Sequence, residues 1–144
     1  MPSVGSVPAA FAAAFVGAHV RALRLGATTE VVSSDRHTVK PWFQGRLDFA
    51  PPVFDLAEDG FVLSGGRVEH VRDSAIAALA YLHNRHVIDL FIQPATDRRE
   101  PGHSVVRGFN VVHWADGSMQ YWAVADMDAA ELDTFVRRWR ARAD

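Results

Sequence analysis

Hydrophobic and polar positions change their period twice along the 144 residues of this chain. Over residues 8–25 apolar side chains recur at spacings of three and four, which predicts an amphipathic helix that ends at Gly26. Residues 33–56 follow neither a helical nor a strand period. The predicted apolar stripe of the first helix consists of Phe11, Phe15, Ala18, Ala22 and Leu25.

From residue 60 onward the apolar positions alternate, which is typical of half-buried strands. Residues 67–72 predict a weak strand. Residues 75–83 and 86–93 predict a hairpin that turns on Asn84 and Arg85. The predicted register pairs Ala77 with Ile92, Leu79 with Leu90, Tyr81 with Ile88, Ala78 with Phe91, Ala80 with Asp89, and Leu82 with Val87.

A second hairpin is predicted after a polar loop over residues 94–104. The dipeptide Asp116-Gly117 is among the strongest short signals for a two-residue hairpin loop. It would join strands over residues 105–114 and 118–125. The register that follows from this loop pairs Val111 with Trp122, Val112 with Tyr121, and Trp114 with Met119.

The helical period returns near the C-terminus and predicts a last helix from about residue 128. Its apolar positions follow the spacing i, i+3, i+4, i+7 and are Leu132, Phe135, Val136 and Trp139. This order predicts an α+β fold, an antiparallel β-meander of four to five strands with an N-terminal and a C-terminal helix packed on it. Residues 9–144 are expected to form a single domain, and residues 1–8 a flexible lead-in that is not a natural N-terminus.

The composition excludes several classes of chemistry. The chain has no cysteine, which excludes disulfides, thiolate zinc sites and cysteine nucleophiles. Its net charge is −2 and its pI is about 6.4, so it lacks a global basic surface and we predict no nucleic-acid partner. It also lacks a run of about 18 apolar residues, so these residues are not expected to span a membrane.

Catalytic and metal-binding motifs are also missing from the sequence. There is no G-x-S-x-G or S-x-x-K signature of a serine nucleophile, and Gly65-Gly66 lacks the context of a phosphate-binding loop. His83 and His86 would lie opposite each other across the first hairpin turn, but no third ligand accompanies them at a fixed spacing. We therefore predict no enzymatic activity, no metal and no cofactor.

The irregular segment over residues 33–56 is the most informative stretch, because it combines charges, aromatics and three prolines. We expect it to be ordered, with Trp42 and Phe43 packed onto the sheet or the first helix. The candidate site for a partner or an anionic ligand consists of Asp35, Arg36, His37, Lys40 and Trp42. The alternative is a solvated loop held by salt links.

One further residue stands out within the predicted hairpin. Asp89 lies in the apolar run HVIDLFI, where a carboxylate must be paired, have a raised pKa, or lie on a solvated face.

The segments DRHTVKPWF, GFNVVHW and YWAV resemble the extracytoplasmic region of a family of bacterial membrane-bound anti-sigma factors. The resemblance covers about residues 20–139. In that family an N-terminal cytoplasmic helical domain, often with His and Cys zinc ligands, sequesters an extracytoplasmic-function sigma factor. One transmembrane helix and then this region follow. Because the chain has no zinc-binding segment and no transmembrane helix, the resemblance implies the periplasmic part alone.

The resemblance implies a non-enzymatic sensory domain in the periplasm, tethered to the inner membrane in the full-length protein. Its partners would be a sigma factor, bound through a cytoplasmic domain absent from this chain, and a regulatory protease. Contact with the membrane would be through an absent upstream transmembrane helix. By analogy with anti-sigma factors in general, a signal would expose a juxtamembrane segment to proteolysis and free the sigma factor.

Two other functions remain open from the residues alone. The chain can be a periplasmic ligand-binding module or an enzyme that uses the Asp35, Arg36, His37 and Lys40 cluster with Trp42. It can also be an interaction module that adds a strand at an exposed edge of the sheet.

Overall fold

A seven-stranded antiparallel sheet organises residues 9–143, the part of the chain that the computed structural model describes. The predicted lead-in over residues 1–8 lies outside these residues. The helices are α1 (Ala9–Leu25), α2 (Arg36–Trp42) and α3 (Ala129–Ala143), and a short 3-10 turn lies at Ala57–Asp59. The strands are β1 (Val31–Val32), β2 (Val62–Val71), β3 (Ser74–His83), β4 (His86–Pro94), β5 (Arg98–Val106), β6 (Phe109–Asp116) and β7 (Met119–Ala125).

The order of the strands in the sheet is β1-β2-β3-β4-β7-β6-β5. Each face of the sheet has its own apolar core. On one face α1 packs through Phe15, whose ring stacks on Trp122 with centroids 4.5 Å apart and contacts Phe91 at 5.2 Å. On the other face α3 packs together with Phe43 from the segment after α2. The predicted α+β fold, with helices at both ends of a meander, is confirmed.

The first hairpin has the predicted register, since Ala77 pairs with Ile92 and Ala80 with Asp89. The stripe of α3 is also confirmed, because Leu132, Phe135, Val136 and Trp139 are all buried. Both signals are local periods in which apolar positions alone determine the buried face.

The stripe predicted for the first helix is only partly right. Phe15, Ala18 and Ala22 are buried, but Phe11 is 42% exposed and Leu25 is 73% exposed. The side chains buried beside Phe15 include small and polar ones, namely Ala12, Val16 and His19. The buried face of α1 is therefore rotated from the stripe of largest side chains.

The sheet is larger than predicted, with seven strands in place of four to five, and the predicted polar loop over residues 94–104 was wrong. Most of that stretch belongs to β5, an edge strand that pairs only with β6 among the described residues. Most of its side chains are at least partly exposed, and it contains Pro101 and an irregularity between Arg99 and Gly102. Charges, proline and irregular pairing are features of protected edge strands, and they remove the alternating pattern.

The predicted register of the second hairpin was also wrong, because the loop is one residue further on. His113 pairs with Trp122, and Trp114 with Tyr121. The Asp116 carboxylate accepts hydrogen bonds from the N–H groups of Ser118 at 2.9 Å and Met119 at 2.8 Å. Asp116 is therefore the residue before the two-residue loop and not its first member. The shift of two residues changes every partner but preserves each side chain's face.

The irregular segment is ordered, and it contains the short helix α2. Phe43 is buried and its ring approaches Gly66 of β2 so closely that a Cβ atom there would lie 2.9 Å from Phe43 Cζ. Trp42 is half-buried at the edge of the same core. The expected packing of both aromatics is confirmed.

The approach of β1 to β2 depends on Gly65, which has φ +146° and would place a Cβ only 2.0 Å from the Val31 carbonyl oxygen. We predict that Gly65→Ala lowers the free energy of unfolding by at least about 2 kcal/mol, because strain and backbone displacement add. The measurement is urea unfolding. Gly17→Ala is the matched control, since a Cβ on Gly17 meets nothing within 4 Å. It should stabilise the protein by about 0.5–1 kcal/mol through helix propensity. Equal effects of the two changes would contradict this account.

Candidate functional site

The predicted site begins at the N-terminus of α2, where Asp35 has a structural role. Its carboxylate accepts a hydrogen bond from the N–H of His37 at 2.8 Å, and its own N–H donates to Ser33 Oγ at 3.0 Å. Asp35 is thus the N-cap of α2. The side chain therefore orients the helix that carries the basic residues.

Three of the predicted residues lie along one groove. Arg36, His37 and Lys40 are exposed on α2, and they line a space of about 260 Å³ against Val53 and Phe54. We call this space, which Pro41 also lines, the α2 groove. Two fixed cations and a histidine over an apolar wall provide hydrogen-bond donors and positive charge for an acidic group.

Trp42 lies outside the lining of the α2 groove. Its ring packs edge-on against Phe43 at 5.1 Å, and the Arg46 guanidinium stacks over it at 4.3 Å. Arg46 also donates a hydrogen bond to the Trp42 carbonyl at 2.6 Å. Of the five predicted residues, the structure therefore brings together Arg36, His37 and Lys40, whereas Asp35 and Trp42 support the local fold.

A second constellation is completely buried between α1 and the sheet. Asp89 of β4 has no exposed surface, and its two carboxylate oxygens accept hydrogen bonds from Arg67 of β2, both at 2.9 Å. His19 of α1 contributes its Nδ1 at 2.7 Å from Asp89 Oδ2. We call these three residues, Arg67, Asp89 and His19, the buried triad. A fork-to-fork contact of guanidinium and carboxylate is the strongest geometry available to such a pair.

The ionisation of Asp89 follows from these contacts. Burial alone would raise the pKa of Asp89, but the hydrogen bonds from His19 and Arg67 and the charge of Arg67 hold that pKa below its ordinary value. Burial also opposes the charge on Arg67, yet the carboxylates of Asp89 and Glu69 raise the pKa of the guanidinium. Both groups are therefore charged inside the protein.

Further contacts connect the buried triad to the surface of the protein beside α1. Arg67 Nε donates to Glu69 Oε2 at 3.0 Å, and Arg67 Nη1 donates to the carbonyl of Thr28, just after α1, at 2.9 Å. Arg21 of α1 reaches Glu69 at 3.8 Å at the surface. The network thus joins α1, the segment after it, β2 and β4.

The sequence predicts that Asp89 is paired, has a raised pKa or lies on a solvated face, and the structure shows that it is paired, with partners that the sequence did not indicate. They lie 22 and 70 residues away in the chain, so no local spacing connects them. The only signal was Asp89 itself, which interrupts an apolar run. His19 and Arg67 lie in α1 and β2, which contain other polar residues, so nothing in the sequence singles them out.

The pair of His19 and Asp89 has the geometry of a catalytic dyad, but solvent does not reach it. The His19 side chain is about 1% exposed and its ring packs edge-on against Phe109 at 5.4 Å. Its Nε2 is buried and has no hydrogen-bond partner among the described residues. A general base must reach the proton that it removes, and nothing from solvent reaches this atom. The dyad therefore serves as a link between helix and sheet.

The two histidines of the first hairpin turn, His83 and His86, contact other protein groups. His83 and His86 are directly opposite, as predicted, but His83 contacts the Gly60 carbonyl at 2.8 Å and Glu131 at 3.1 Å. His86 contacts Asp126 at 2.8 Å. Within residues 9–143 there is no group of three or more His, Cys, Asp or Glu side chains placed to hold a metal ion.

His113 is stacked on Trp122 with centroids 3.7 Å apart, and its Nε2 lies 3.0 Å from Gln120 Oε1. Burial lowers the pKa of His113, although the hydrogen bond with Gln120 opposes that shift. The imidazole is therefore a neutral, packed side chain of the sheet.

Comparison with known proteins gives no relative: no family model, curated protein or solved structure matches this chain. None of the helices within residues 9–143 is both long enough and apolar enough to span a membrane.

The three basic residues of the α2 groove are exposed, and their joint replacement tests whether the stability of the fold depends on them. We predict that Arg36→Ala, His37→Ala and Lys40→Ala together leave the melting temperature nearly unchanged, because surface changes usually stay within about 0.5 kcal/mol each. Thermal unfolding measures this. Val39→Ala is the matched control on the same helix, since Val39 is fully buried and should cost about 2 kcal/mol. A triple variant as unstable as Val39→Ala would show that the cluster is structural.

Proposed function

We propose that this chain is the periplasmic regulatory domain of a membrane-bound anti-sigma factor and that docking of α1 on the sheet is its switch. The domain acts without enzymatic chemistry. A transmembrane helix and a cytoplasmic sigma-binding domain, both outside this chain, would connect it to transcription.

The segments that resemble the anti-sigma family have clear physical roles, which supports reading them as a unit. DRHTVKPWF forms the N-cap, α2 and the buried Phe43 that anchors the irregular segment. GFNVVHW contains the start of β6, and YWAV lies in β7, so they pair with each other in the centre of the domain. The resemblance therefore involves residues that position helices and strands as well as surface residues.

The observation that carries the mechanism is the buried triad. In the proposed full-length protein the membrane helix precedes α1 in the chain. Its contact with the sheet combines the aromatic packing of Phe15 with a buried His19–Asp89–Arg67 link. Removing one member of a buried charge pair costs about 3–5 kcal/mol, because the other charge stays buried without a partner. That is a large fraction of a total stability of about 5–15 kcal/mol.

The large free-energy cost of breaking these contacts makes docking of α1 an all-or-none event. The apolar contacts of α1 and the hydrogen bond of His19 with Asp89 form on the same face of the sheet, so they are lost together, whereas the pair of Arg67 and Asp89 lies within the sheet. The face that carries α3 has a separate apolar core and does not include the triad. A signal that separates α1 from the sheet would expose α1 to a protease, and the rest of the domain would remain folded.

The α2 groove supports a second role within the same proposal. Its three basic residues lie on an exposed helix and are spread along one groove, which suits an acidic surface of a regulatory partner. The joint replacement of Arg36, His37 and Lys40 would then change signalling in the full-length protein without unfolding the domain.

The assignment itself is tested with the full-length gene. Its upstream coding sequence should encode a membrane-spanning helix preceded by a cytoplasmic domain, and the purified protein should carry a bound sigma factor. Deleting the gene should raise transcription from promoters of that sigma factor. A gene without a spanning segment, or a protein that binds no sigma factor, would contradict the assignment.

The switch is tested by Asp89→Asn, which keeps the shape of the side chain but removes its charge. We predict that protease cleavage within α1 becomes at least tenfold faster in the isolated domain, because Arg67 loses its fully buried counter-ion, keeps only Glu69, and α1 opens more often. In the full-length protein the same change should raise sigma-dependent reporter transcription.

Val136→Ala provides the control on the opposite face. Val136 is buried in α3, so its truncation lowers stability without touching α1. Cleavage of α1 and reporter output should be much less affected than by Asp89→Asn at similar global stability. If both variants act equally, loss of stability alone explains the signal, and docking of α1 is not the switch.

A further inference from the structure

We propose that His113 of β6 is an acid sensor whose protonation weakens the docking of α1 on the sheet. His113 is only 6% exposed, and it lies on the face of the sheet that carries Trp122 and Phe15. The inference rests on the proposed function in one respect, because it names a signal for the α1 switch. The opening itself is measured on the purified chain and does not depend on the anti-sigma assignment.

Stacked rings connect His113 to α1. The imidazole stacks on the Trp122 indole with centroids 3.7 Å apart and an angle of 10°. The Phe15 ring of α1 stacks on the same indole at 4.5 Å, so the indole lies between the histidine and the helix. α1 also lies against β5 and β6. A change in the imidazole therefore reaches the packing of α1 through a single ring.

The hydrogen bonds of His113 suit only its neutral form. Its Nε2 lies 3.0 Å from Gln120 Oε1, an amide oxygen, so the ring donates from Nε2 and keeps a lone pair on Nδ1. Nδ1 is buried and has no hydrogen-bond partner among the described residues. The indole that covers the ring offers only a donor, Trp122 Nε1. A second proton on the ring would therefore be a buried donor without an acceptor, which is costly.

The charged groups around His113 do not compensate for that proton. Burial lowers the pKa of His113, the hydrogen bond with Gln120 opposes the shift, Arg99 adds to it and Asp97 opposes it, and the net direction is downward. α1, which covers this face, contributes no carboxylate, since its sequence contains no Asp or Glu. The protonated ring would thus be buried without a carboxylate in hydrogen-bond contact.

Other histidines at the helix contacts differ in this respect. His19 of α1 has the Asp89 carboxylate at 2.7 Å, and His83 on the opposite face has Glu131 of α3 at 3.1 Å. Of the two buried histidines within residues 9–143, only His113 lacks a carboxylate partner. Acid should therefore weaken the contact of α1 and spare that of α3.

The direction of the pH effect follows from where the proton binds. When α1 leaves the sheet, water reaches the imidazole, and the pKa of His113 returns toward its ordinary value of 6.5. Above that pH both states are neutral, and docking has its full stability. As the pH falls from the ordinary pKa toward the lowered pKa of the docked ring, only the open state takes up the proton. Acidification thus favours the open state.

Hydrogen exchange of the α1 amides at about pH 7.5 and about pH 5.5, on either side of the ordinary histidine pKa, tests the sensor. Each rate is divided by the intrinsic exchange rate at that pH. We expect the opening equilibrium of α1 to rise at least about fivefold at the lower pH, with α3 much less affected. The nitrogen chemical shifts of His113 should show a neutral ring at about pH 6.

Two substitutions separate the titration of His113 from its packing. His113→Phe keeps a flat ring against Trp122 but cannot be protonated, so α1 should open equally at both pH values. Gln120→Glu introduces a carboxylate at the position 3.0 Å from His113 Nε2, so the docked ring accepts the proton and acid opening should disappear or reverse. If His113→Phe does not fold, Gln120→Glu alone decides.

His103→Gln is the matched control, because His103 is an exposed histidine on the neighbouring strand β5. This variant should open α1 in acid as the natural protein does. Melting curves at neutral pH verify that each variant is folded.

An opening equilibrium of α1 that is the same at both pH values would overturn the proposal, as would a charged His113 ring at about pH 6 in the docked protein. Acid opening that persists in His113→Phe would also overturn it, because another group, with His19 the first candidate, would then be the sensor. Acid opening of the purified chain without acid-dependent sigma-factor activity in the full-length protein would support the sensor and contradict the proposed function.

Discussion

The charge of Asp89 in the centre of the sheet is the constraint on which the packing of α1 depends. A carboxylate without exposed surface is stable there only because Arg67 forms two hydrogen bonds with it and His19 a third. Such an arrangement is poor evidence for high stability, because desolvation offsets much of the attraction between the charges. What it provides is a requirement that three elements meet in one arrangement, since any other docking of α1 would remove the hydrogen bond between His19 and Asp89 and the one from Arg67 to the Thr28 carbonyl.

The two faces of the sheet are consequently covered through different kinds of contact. On the face of α3, aromatic and aliphatic side chains interdigitate, and small losses of contact have graded costs. On the face of α1, a helix with few large side chains depends on one large aromatic, Phe15, and on the buried triad. This asymmetry makes α1 the natural unit of partial opening, and it is the physical basis of the regulatory function proposed for the domain.

The parts of the fold that could be predicted are those with a local period. The first hairpin and the stripe of α3 depend on alternation or helical spacing within about 20 residues. The second hairpin was predicted two residues out of register, because an Asp side chain can precede a turn as well as belong to it. β5 was not predicted because the sequence of a protected edge strand resembles that of a loop.

Arg36, His37 and Lys40 were predictable as a cluster because they share one short helix. The partners of Asp89 were not, because only tertiary folding brings β2 and α1 to it.

Native-state hydrogen exchange of the amides of α1, compared between the natural protein and Asp89→Asn, tests the central claim most directly. If the buried triad holds α1, the variant should lose protection throughout α1 through a sub-global opening, while the amides of β6, β7 and α3 keep protection close to that of the natural protein. Uniform loss of protection across the domain, or unchanged protection of α1, would contradict the account.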